Sequence, residues 1–71
     1  MRDFRAILIE LKLYLLQNSK NTKIYDREVA DALGITPVNF ATLKRRNSTP
    51  FESIIKFCYK EDICCSEIFF E

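Results

Sequence analysis

The sequence predicts an all-α fold of five short helices in a single compact domain. The chain has 71 residues, the size of one domain, and 48% of them are hydrophobic, too many for a disordered tail. It contains one Gly and two Pro, whereas a sandwich of many short strands needs frequent turn residues. Apolar residues recur at helical spacing along most of the chain, which favours helices.

The first predicted helix covers about residues 3–18. Its apolar residues follow the i, i+3, i+4, i+7 spacing of a stripe that faces a core. They are Phe4, Ile7, Leu8, Leu11, Tyr14 and Leu15. The polar residues 19–22 that follow are predicted to form the exit loop.

The second predicted helix covers residues 26–33. Asp26 is expected to be its N-cap, and Glu28 lies in the first turn, where the helix dipole favours an anion. Gly34 follows the last turn, where a residue in the left-handed conformation commonly ends a helix. The inward face is predicted to hold Val29, Ala30 and Leu33.

The third predicted helix covers residues 37–46. Thr36 is expected to cap it, and Pro37 suits the first helical position because its missing N–H would have no partner there. Ile35 and Phe40 occupy the two positions of a hydrophobic staple. Three cations fill the last turn, where they interact favourably with the helix dipole.

Two further helices are predicted after residue 48. The fourth opens on Thr49, which with Glu52 matches a capping box and places Pro50 at the first helical position. It extends to about residue 60 with helical spacing of Phe51, Ile54, Ile55 and Cys58. The fifth, over residues 65–70, is brief and apolar, with Cys64 at its N-cap position.

The second and third helices together match a helix-turn-helix unit at about residues 26–46. Such a unit needs a small residue where its helices cross and, four residues later, a glycine that can take positive φ in the tight turn. Ala30 and Gly34 meet these needs. Apolar residues lock the pair to the core at Val29, Leu33, Ile35, Phe40 and Leu43. The alternative is an ordinary helical hairpin in a small bundle.

The second helix of such a unit lies in the major groove of DNA, with its N-terminal residues against base edges. Asn39 has the chemistry to bond adenine through N6 and N7, and Val38 and Thr42 suit contact with a thymine methyl. Arg45 suits guanine or a phosphate. The predicted base-contacting residues are therefore Pro37, Val38, Asn39, Thr42 and Arg45. For each, the alternative is a solvated helix surface.

The net charge of +1 conceals an uneven distribution. Residues 20–46 carry six basic and three acidic side chains, and residues 47–71 carry two basic and five acidic side chains. The positive part coincides with the helix-turn-helix unit, where phosphate contacts would position a DNA-binding protein. Dipole stabilisation alone also favours a basic cluster at a helix end. The predicted phosphate-contacting residues are Lys23, Arg27, Lys44 and Arg46.

Over about residues 4–70 the chain resembles the N-terminal DNA-binding domain of phage CI-type repressors, the lambda-repressor-like family. The motifs that carry the resemblance are GITP at residues 34–37, LKRRNS at 43–48, PFE at 50–52 and ICCSEIFF at 63–70. The resemblance implies a five-helix lambda-repressor-like fold, binding to a double-stranded operator as a homodimer, and transcriptional repression. One departure is Cys64, which replaces the family's usual Ser at the cap of the last helix.

The resemblance also bears on domain organisation. We expect residues 1–71 to form a single helix-turn-helix domain. Family members often carry a C-terminal domain for oligomerisation and self-cleavage, so an origin in a longer repressor stays open. A regulator of this kind would act in the cytoplasm of a bacterial cell, at the nucleoid.

A second surface is predicted on the first helix. Ile9, Leu13 and Leu16 fall opposite the core stripe, together with Ala6. An exposed apolar strip of this kind marks association, so these residues are a candidate oligomer interface. The alternative is burial beneath residues 68–70 or beneath loops. The strip also supports a different function, a helical protein-interaction module that binds its partner there.

Other chemistry is not expected. The chain has no His, so neither Cys–His nor Ser–His catalysis has a general base. It has a single glycine, and a glycine-rich phosphate-binding loop needs several. Three Cys without paired spacing do not predict a zinc site or a closed disulfide framework. We therefore predict no enzyme activity, no cofactor, no metal and no small-molecule substrate. No signal peptide or membrane segment is expected, because Glu10 and Lys12 interrupt the first apolar run.

Overall fold

Five helices and no strand make up the regular structure of residues 1–20 and 22–70, the part of the chain that the computed structural model describes. The helices are α1 (Phe4–Gln17), α2 (Asp26–Leu33), α3 (Pro37–Arg46), α4 (Phe51–Glu61) and α5 (Cys65–Phe69). The all-α prediction is confirmed, and the bounds of α2 and α3 agree with those predicted. Over the described residues, no helix has the length and apolar character needed to cross a membrane.

The helices enclose one hydrophobic core. The largest side chains that are fully buried are Phe4, Ile7, Leu11, Val29, Ile54 and Cys58. Phe4 of α1 meets Phe40 of α3 edge to face, with ring centroids 5.7 Å apart. Each large apolar side chain of this kind contributes about 1.5–3 kcal/mol through burial. The predicted inward stripe of α1 is therefore confirmed at its buried residues, and Cys58 of α4 is a core residue.

Hydrogen bonds from α3 and α5 hold the start of α1 in place. Asp3 caps the helix, since one carboxylate oxygen accepts a hydrogen bond from the backbone N–H of Ala6 at 2.9 Å. Asn47, the C-cap of α3, accepts a hydrogen bond from the backbone N–H of Arg5 and donates one to Asp3, both at 3.3 Å. Just before α1, the backbone N–H of Arg2 donates a hydrogen bond to the backbone carbonyl of Phe69 in α5, at 2.8 Å.

The predicted cap of α2 is wrong. Asp26 is the first helical residue, and Tyr25 is the N-cap. The Glu28 carboxylate reaches back to accept a hydrogen bond from the Tyr25 backbone N–H at 3.2 Å. The Asp26 carboxylate instead forms ion pairs with Lys12 of α1 and Lys44 of α3. Asp26 therefore forms ion pairs with other helices, whereas the sequence predicts that it caps its own helix.

The turn between α2 and α3 has the predicted conformation. Gly34 is the C-cap of α2 with φ of 70°, in the left-handed region. The backbone N–H of Ile35 donates to the Ala30 carbonyl at 2.9 Å, which closes the end of α2. Thr36 caps α3 by accepting a hydrogen bond from the Asn39 backbone N–H at 3.3 Å, and Pro37 takes the first helical position.

The start of α4 differs from the prediction. Pro50 is the N-cap rather than the first helical residue, and no side chain caps the helix. The predicted capping box between Thr49 and Glu52 does not form, since the helix begins one residue later than predicted. The Glu52 carboxylate pairs instead with Lys56 one turn later at 3.1 Å. At the far end of the chain, Cys64 is the N-cap of α5, as predicted.

The apolar residues of α4 differ in their burial. Ile54, Phe57 and Cys58 are its buried residues. Phe51 and Ile55, which belong to the same predicted helical spacing, remain 42% and 49% exposed. Apolar residues therefore cover two adjoining faces of α4, and only one of them enters the core.

Substitutions at Gly34 and Asp62, two residues with a left-handed backbone conformation, should change the free energy of unfolding in opposite directions. A Cβ at Gly34 would meet nothing within 4 Å, so the cost of Gly34→Ala is backbone strain alone, and we expect a loss of about 1–2 kcal/mol in the free energy of unfolding. Asp62 already bears that strain at φ of 57°, so Asp62→Gly should gain up to about 1 kcal/mol. Urea denaturation of both variants measures the effects. Equal signs for the two changes would contradict this account.

Candidate nucleic-acid interface

The predicted base-contacting residues lie along the outer side of α3. Phe40 is the one fully buried residue of this helix, at 2% exposure, and Leu43 packs beside it at the edge of the core. Away from Phe40 the helix is open: Pro37, Val38, Asn39 and Arg45 are exposed, and Thr42 is half-buried. Pro37 and Arg45 border α2, whereas Asn39 and Thr42 border a depression towards the start of α4. Val38 is 77% exposed, so its aliphatic side chain is open to contact from outside the domain.

Two polar side chains on this surface differ in their freedom. The Thr42 hydroxyl donates a hydrogen bond to the Val38 carbonyl at 3.1 Å, so its proton is engaged within α3. The Asn39 backbone N–H is bonded to the Thr36 cap. Within residues 1–20 and 22–70 the Asn39 side-chain amide has no hydrogen-bond partner, and it faces solvent. Asn39 therefore keeps both its donor and its acceptor for an external group.

Three exposed arginines belong to this side of the domain. Arg27 is on the first turn of α2, and Arg45 and Arg46 end α3. In the described part of the chain none of the three takes part in an ion pair. Arginine presents a planar fork of donors that suits phosphate oxygens and the guanine edge. These three guanidinium groups are thus available to an anion outside the protein.

The two predicted lysine contacts have partners inside the molecule. Lys44 Nζ lies 2.5 Å from one carboxylate oxygen of Asp26, and Lys12 Nζ lies 2.5 Å from the other. Lys23 Nζ lies over the Tyr25 ring, 5.1 Å from its centroid, in a cation–π contact. Lys44 and Lys23 therefore lie near the exposed side of α3, but each already interacts with a group of the protein itself.

Asp26 connects three helices through its two ion pairs. Hydrogen bonds from Lys12 and then Lys44 hold the pKa of this carboxyl below its ordinary value of 3.8, against the opposing effect of partial burial. A carboxylate on the first turn of α2 also lies at the favourable end of the helix dipole. The charge of the Asp26 carboxylate is thus compensated by two lysines.

A cleft of about 490 Å³ opens between α2 and α3 beside the start of α1. Its floor is largely apolar, and its walls carry the side chains of Arg5, Arg27, Lys44 and Arg45 with Asp26. Ala30, the predicted small residue of the helix crossing, is 1% exposed and lines this cleft. Cations therefore outnumber anions around an opening next to the N-terminal end of α3.

Arg5 is a member of this group that the sequence did not indicate. It is exposed, and it precedes the helix-turn-helix segment by about twenty residues, so no local spacing relates it to Arg27 or Arg45. The edge-to-face contact between Phe4 and Phe40 brings the start of α1 against α3 and carries Arg5 with it. Only the tertiary packing of these two rings reveals its position.

No family model, curated protein or solved structure matches this chain. The side chains and their arrangement are therefore the basis for inferring what it binds.

The apolar strip predicted on α1 is shorter than expected. Ile9 and Leu13 are 59% and 47% exposed, so α5 does not cover them. Leu16 is half-buried and packs against the core, and Ala6 is half-buried as well. A shallow groove of about 240 Å³ adjoins the strip between Leu16 and Ile24. Two exposed residues, rather than three, remain as a candidate contact surface.

The cysteines lie apart from this interface. Burial is the largest of the effects that raise the pKa of the Cys58 thiol, to about 12. Cys64 is exposed, with its Sγ 3.0 Å from the Ser66 hydroxyl oxygen, and Cys65 is half-buried. In residues 1–20 and 22–70, no three His, Cys, Asp or Glu side chains converge in a way that could hold a metal ion.

The Asp26 ion pairs predict a pH dependence of stability. Because folding lowers the pKa of Asp26, its charged form stabilises the fold above pH 3.8, and this contribution is lost as the pH falls through the lower value of the folded state. Asp26→Asn should therefore destabilise the protein by a constant amount near neutral pH and by progressively less in acid. Urea unfolding of the wild type and the variant between neutral pH and about pH 3 measures this difference.

Asp31→Asn is the matched control, since Asp31 is an exposed aspartate of the same helix. It should change the free energy of unfolding at neutral pH less than Asp26→Asn does. A loss from Asp26→Asn that stays the same at every pH would contradict the role given to the ion pairs.

Proposed function

We propose that this protein is a sequence-specific double-stranded-DNA-binding domain of a transcriptional repressor, of the phage lambda-repressor-like kind. The observation that carries the proposal is the outer side of α3. A ten-residue helix keeps Phe40 in the core and turns Pro37, Val38 and Asn39 towards solvent at its N-terminal end. The second helix of a helix-turn-helix unit presents its N-terminal residues to base edges in this way.

Base recognition is assigned to the side chains of this helix. Asn39, with its amide free, would form a bidentate pair with adenine, in which its side-chain NH2 donates to N7 and its Oδ1 accepts from the N6 amino group. Val38 supplies an exposed apolar surface for a thymine methyl, and the Thr42 methyl group is suited to the same contact. Pro37 would lie against the groove at the start of the helix, and Arg45 would reach guanine or the adjacent phosphate.

Phosphate contacts are assigned to the cations around this helix. Arg27 and Arg46 are exposed and free of ion pairs in the described chain, which supports this role most strongly. Lys44 keeps donors beyond the one that faces Asp26, and Lys23 lies at the entrance to α2. The cleft adds Arg5 to this set. Together these groups would fix the register of the domain on the duplex.

The regulatory consequence follows from occupancy of the operator. Two copies on one duplex would place their α3 helices in successive major grooves, about one helical turn or 34 Å apart. Binding of this kind blocks access of polymerase without catalysing a reaction. The site of action would be the nucleoid in the bacterial cytoplasm.

A protein-interaction module is the second candidate function. The exposure of Ile9 and Leu13 favours it, because exposed neighbouring apolar residues mark contact surfaces. On this alternative, the α1 strip would bind a partner and the outer side of α3 would stay solvated. Binding of DNA separates the two candidates.

DNA binding can be tested by fluorescence anisotropy with a random-sequence duplex pool and with sequences selected from that pool. We expect affinity to fall steeply between about 50 and 200 mM salt, because each phosphate contact releases counterions. Arg46→Ala should weaken binding to all sequences alike and lower the salt slope by about one. Asn39→Ala should cost about 1–3 kcal/mol on the selected sequence and relax the preference at one base pair.

Lys56→Ala is the matched control for lost charge. It removes a cation from the acidic C-terminal part of the chain, where Lys56 pairs only with Glu52 in the described structure, and it should leave DNA affinity unchanged. No binding at the lower salt concentration would reject the proposal and favour the interaction module. Equal losses from Lys56→Ala and Arg46→Ala would show that binding depends on overall charge rather than on α3.

A further inference from the structure

An acidic side chain lies among the cations of the cleft between α2 and α3. Of the described residues that line this cleft, Asp26 is the one with a carboxylate. The cationic residues that line it are Arg5, Arg27, Lys44 and Arg45. Glu28, the other acid in the first turn of α2, lines a different depression and accepts a hydrogen bond from the Tyr25 backbone N–H. Asp26 is therefore the internal anion that an incoming anion would meet in the cleft.

The two oxygens of the Asp26 carboxylate have different surroundings. Oδ1 is inaccessible to solvent and lies 2.5 Å from Lys12 Nζ. Oδ2 lies 2.5 Å from Lys44 Nζ, and the Lys44 side chain is 44% exposed. Lys44 lines the cleft, whereas Lys12 lines the groove beside the α1 strip. The pair with Lys44 is thus the one that a group entering the cleft can reach.

The position of Asp26 within the helix-turn-helix unit bears on DNA binding. The first helix of such a unit crosses the DNA backbone, and Asp26 is the first residue of α2. The cleft that it lines also holds Arg27 and Arg45, two of the arginines available to phosphate oxygens. A phosphate held by either arginine would lie close to the Asp26 carboxylate, and the two negative charges would repel each other.

We propose that Asp26 is an internal competitor for phosphate, which occupies Lys44 and repels the backbone, and so limits the affinity of the domain for DNA of any sequence. This inference rests on the proposed function and adds a residue that opposes binding. When the duplex binds, Lys44 Nζ passes from Asp26 Oδ2 to a phosphate oxygen, and Asp26 keeps its pair with Lys12. The effect acts on phosphate contacts, which carry no sequence information.

Asp26 therefore affects stability and DNA binding in opposite directions. Its ion pairs connect α1, α2 and α3 and stabilise the fold, whereas its charge weakens binding to a polyanion. Replacing a residue whose role is structural alone would lower both stability and affinity. Asp26→Asn should instead weaken the fold and strengthen DNA binding.

Fluorescence anisotropy of the wild type and Asp26→Asn with a random-sequence duplex and with a selected duplex tests this role. At about 50 mM salt we expect the variant to bind both duplexes about fivefold more tightly, the factor for one close pair of charges in water. The salt slope should become steeper by up to about one, because Lys44 is then free to replace one more counterion at a phosphate. Sucrose in every sample, a neutral osmolyte that favours the folded state, keeps the variants folded for the comparison.

Glu10→Gln is the matched control. It removes the same charge from a carboxylate that is also ion-paired, to Arg2, and whose side chain is 34% exposed against 35% for Asp26. Glu10 faces α5 rather than the cleft, since it lines a groove with Ile63 and Ile68. This variant should leave both the affinity and the salt slope unchanged.

A second variant tests whether Lys44 carries the gain. The gain from Asp26→Asn should be smaller in a Lys44→Met background, because no lysine is then released to the phosphate. A gain that is the same in both backgrounds would overturn the part given to Lys44.

The outcomes separate this role from the proposed function. Binding by the wild type without a gain in Asp26→Asn would overturn the role of Asp26 and leave the proposed function standing. Equal gains from Asp26→Asn and Glu10→Gln would also overturn it, because net charge would then set the affinity. No binding by either protein at about 50 mM salt would reject the proposed function, and the role of Asp26 with it.

Discussion

The burial of Phe40 is the constraint on which the presentation of α3 depends. It is the one side chain of that helix wholly within the core, and its ring meets Phe4 edge to face. Because side chains on a helix have fixed angular positions, burying this residue turns Val38 and Asn39 outward. The left-handed Gly34 lets the chain reach this position in a three-residue turn. The exposed polar and apolar surface of α3 is thus a consequence of core packing.

Ion pairs at Asp26 also hold the helices around α3 together. Asp26 pairs with a lysine from α1 and a lysine from α3, so one carboxylate links the three helices and compensates charge near the cleft. The arginines at the start of α2 and the end of α3 form no ion pair in the described chain. On this side of the domain, two lysines are therefore engaged in internal ion pairs, whereas these three arginines stay exposed. Guanidinium groups are the better suited of the two to bidentate contacts with phosphate.

The sequence was sufficient for the bounds of α2 and α3, since Gly34, Thr36 and Pro37 are local signals whose physics acts within one turn. It failed at Asp26, where a tertiary ion pair outweighs the local cap. It also left the core face of α4 open, because the helical spacing of Ile54 and Ile55 identifies apolar residues without showing which of them a neighbour covers. Arg5 joins the cleft through ring packing, which no local pattern encodes.

The most direct test of the central claim is residue-resolved NMR of the amide groups during titration with a DNA duplex selected by this protein. Direct recognition by α3 predicts the largest shift changes at residues 37–39, 42 and 45, together with the Asn39 side-chain amide. Smaller changes are expected at Arg27 and Arg46. Changes confined to α1 around Ile9 and Leu13, or no change at saturating duplex, would contradict the account.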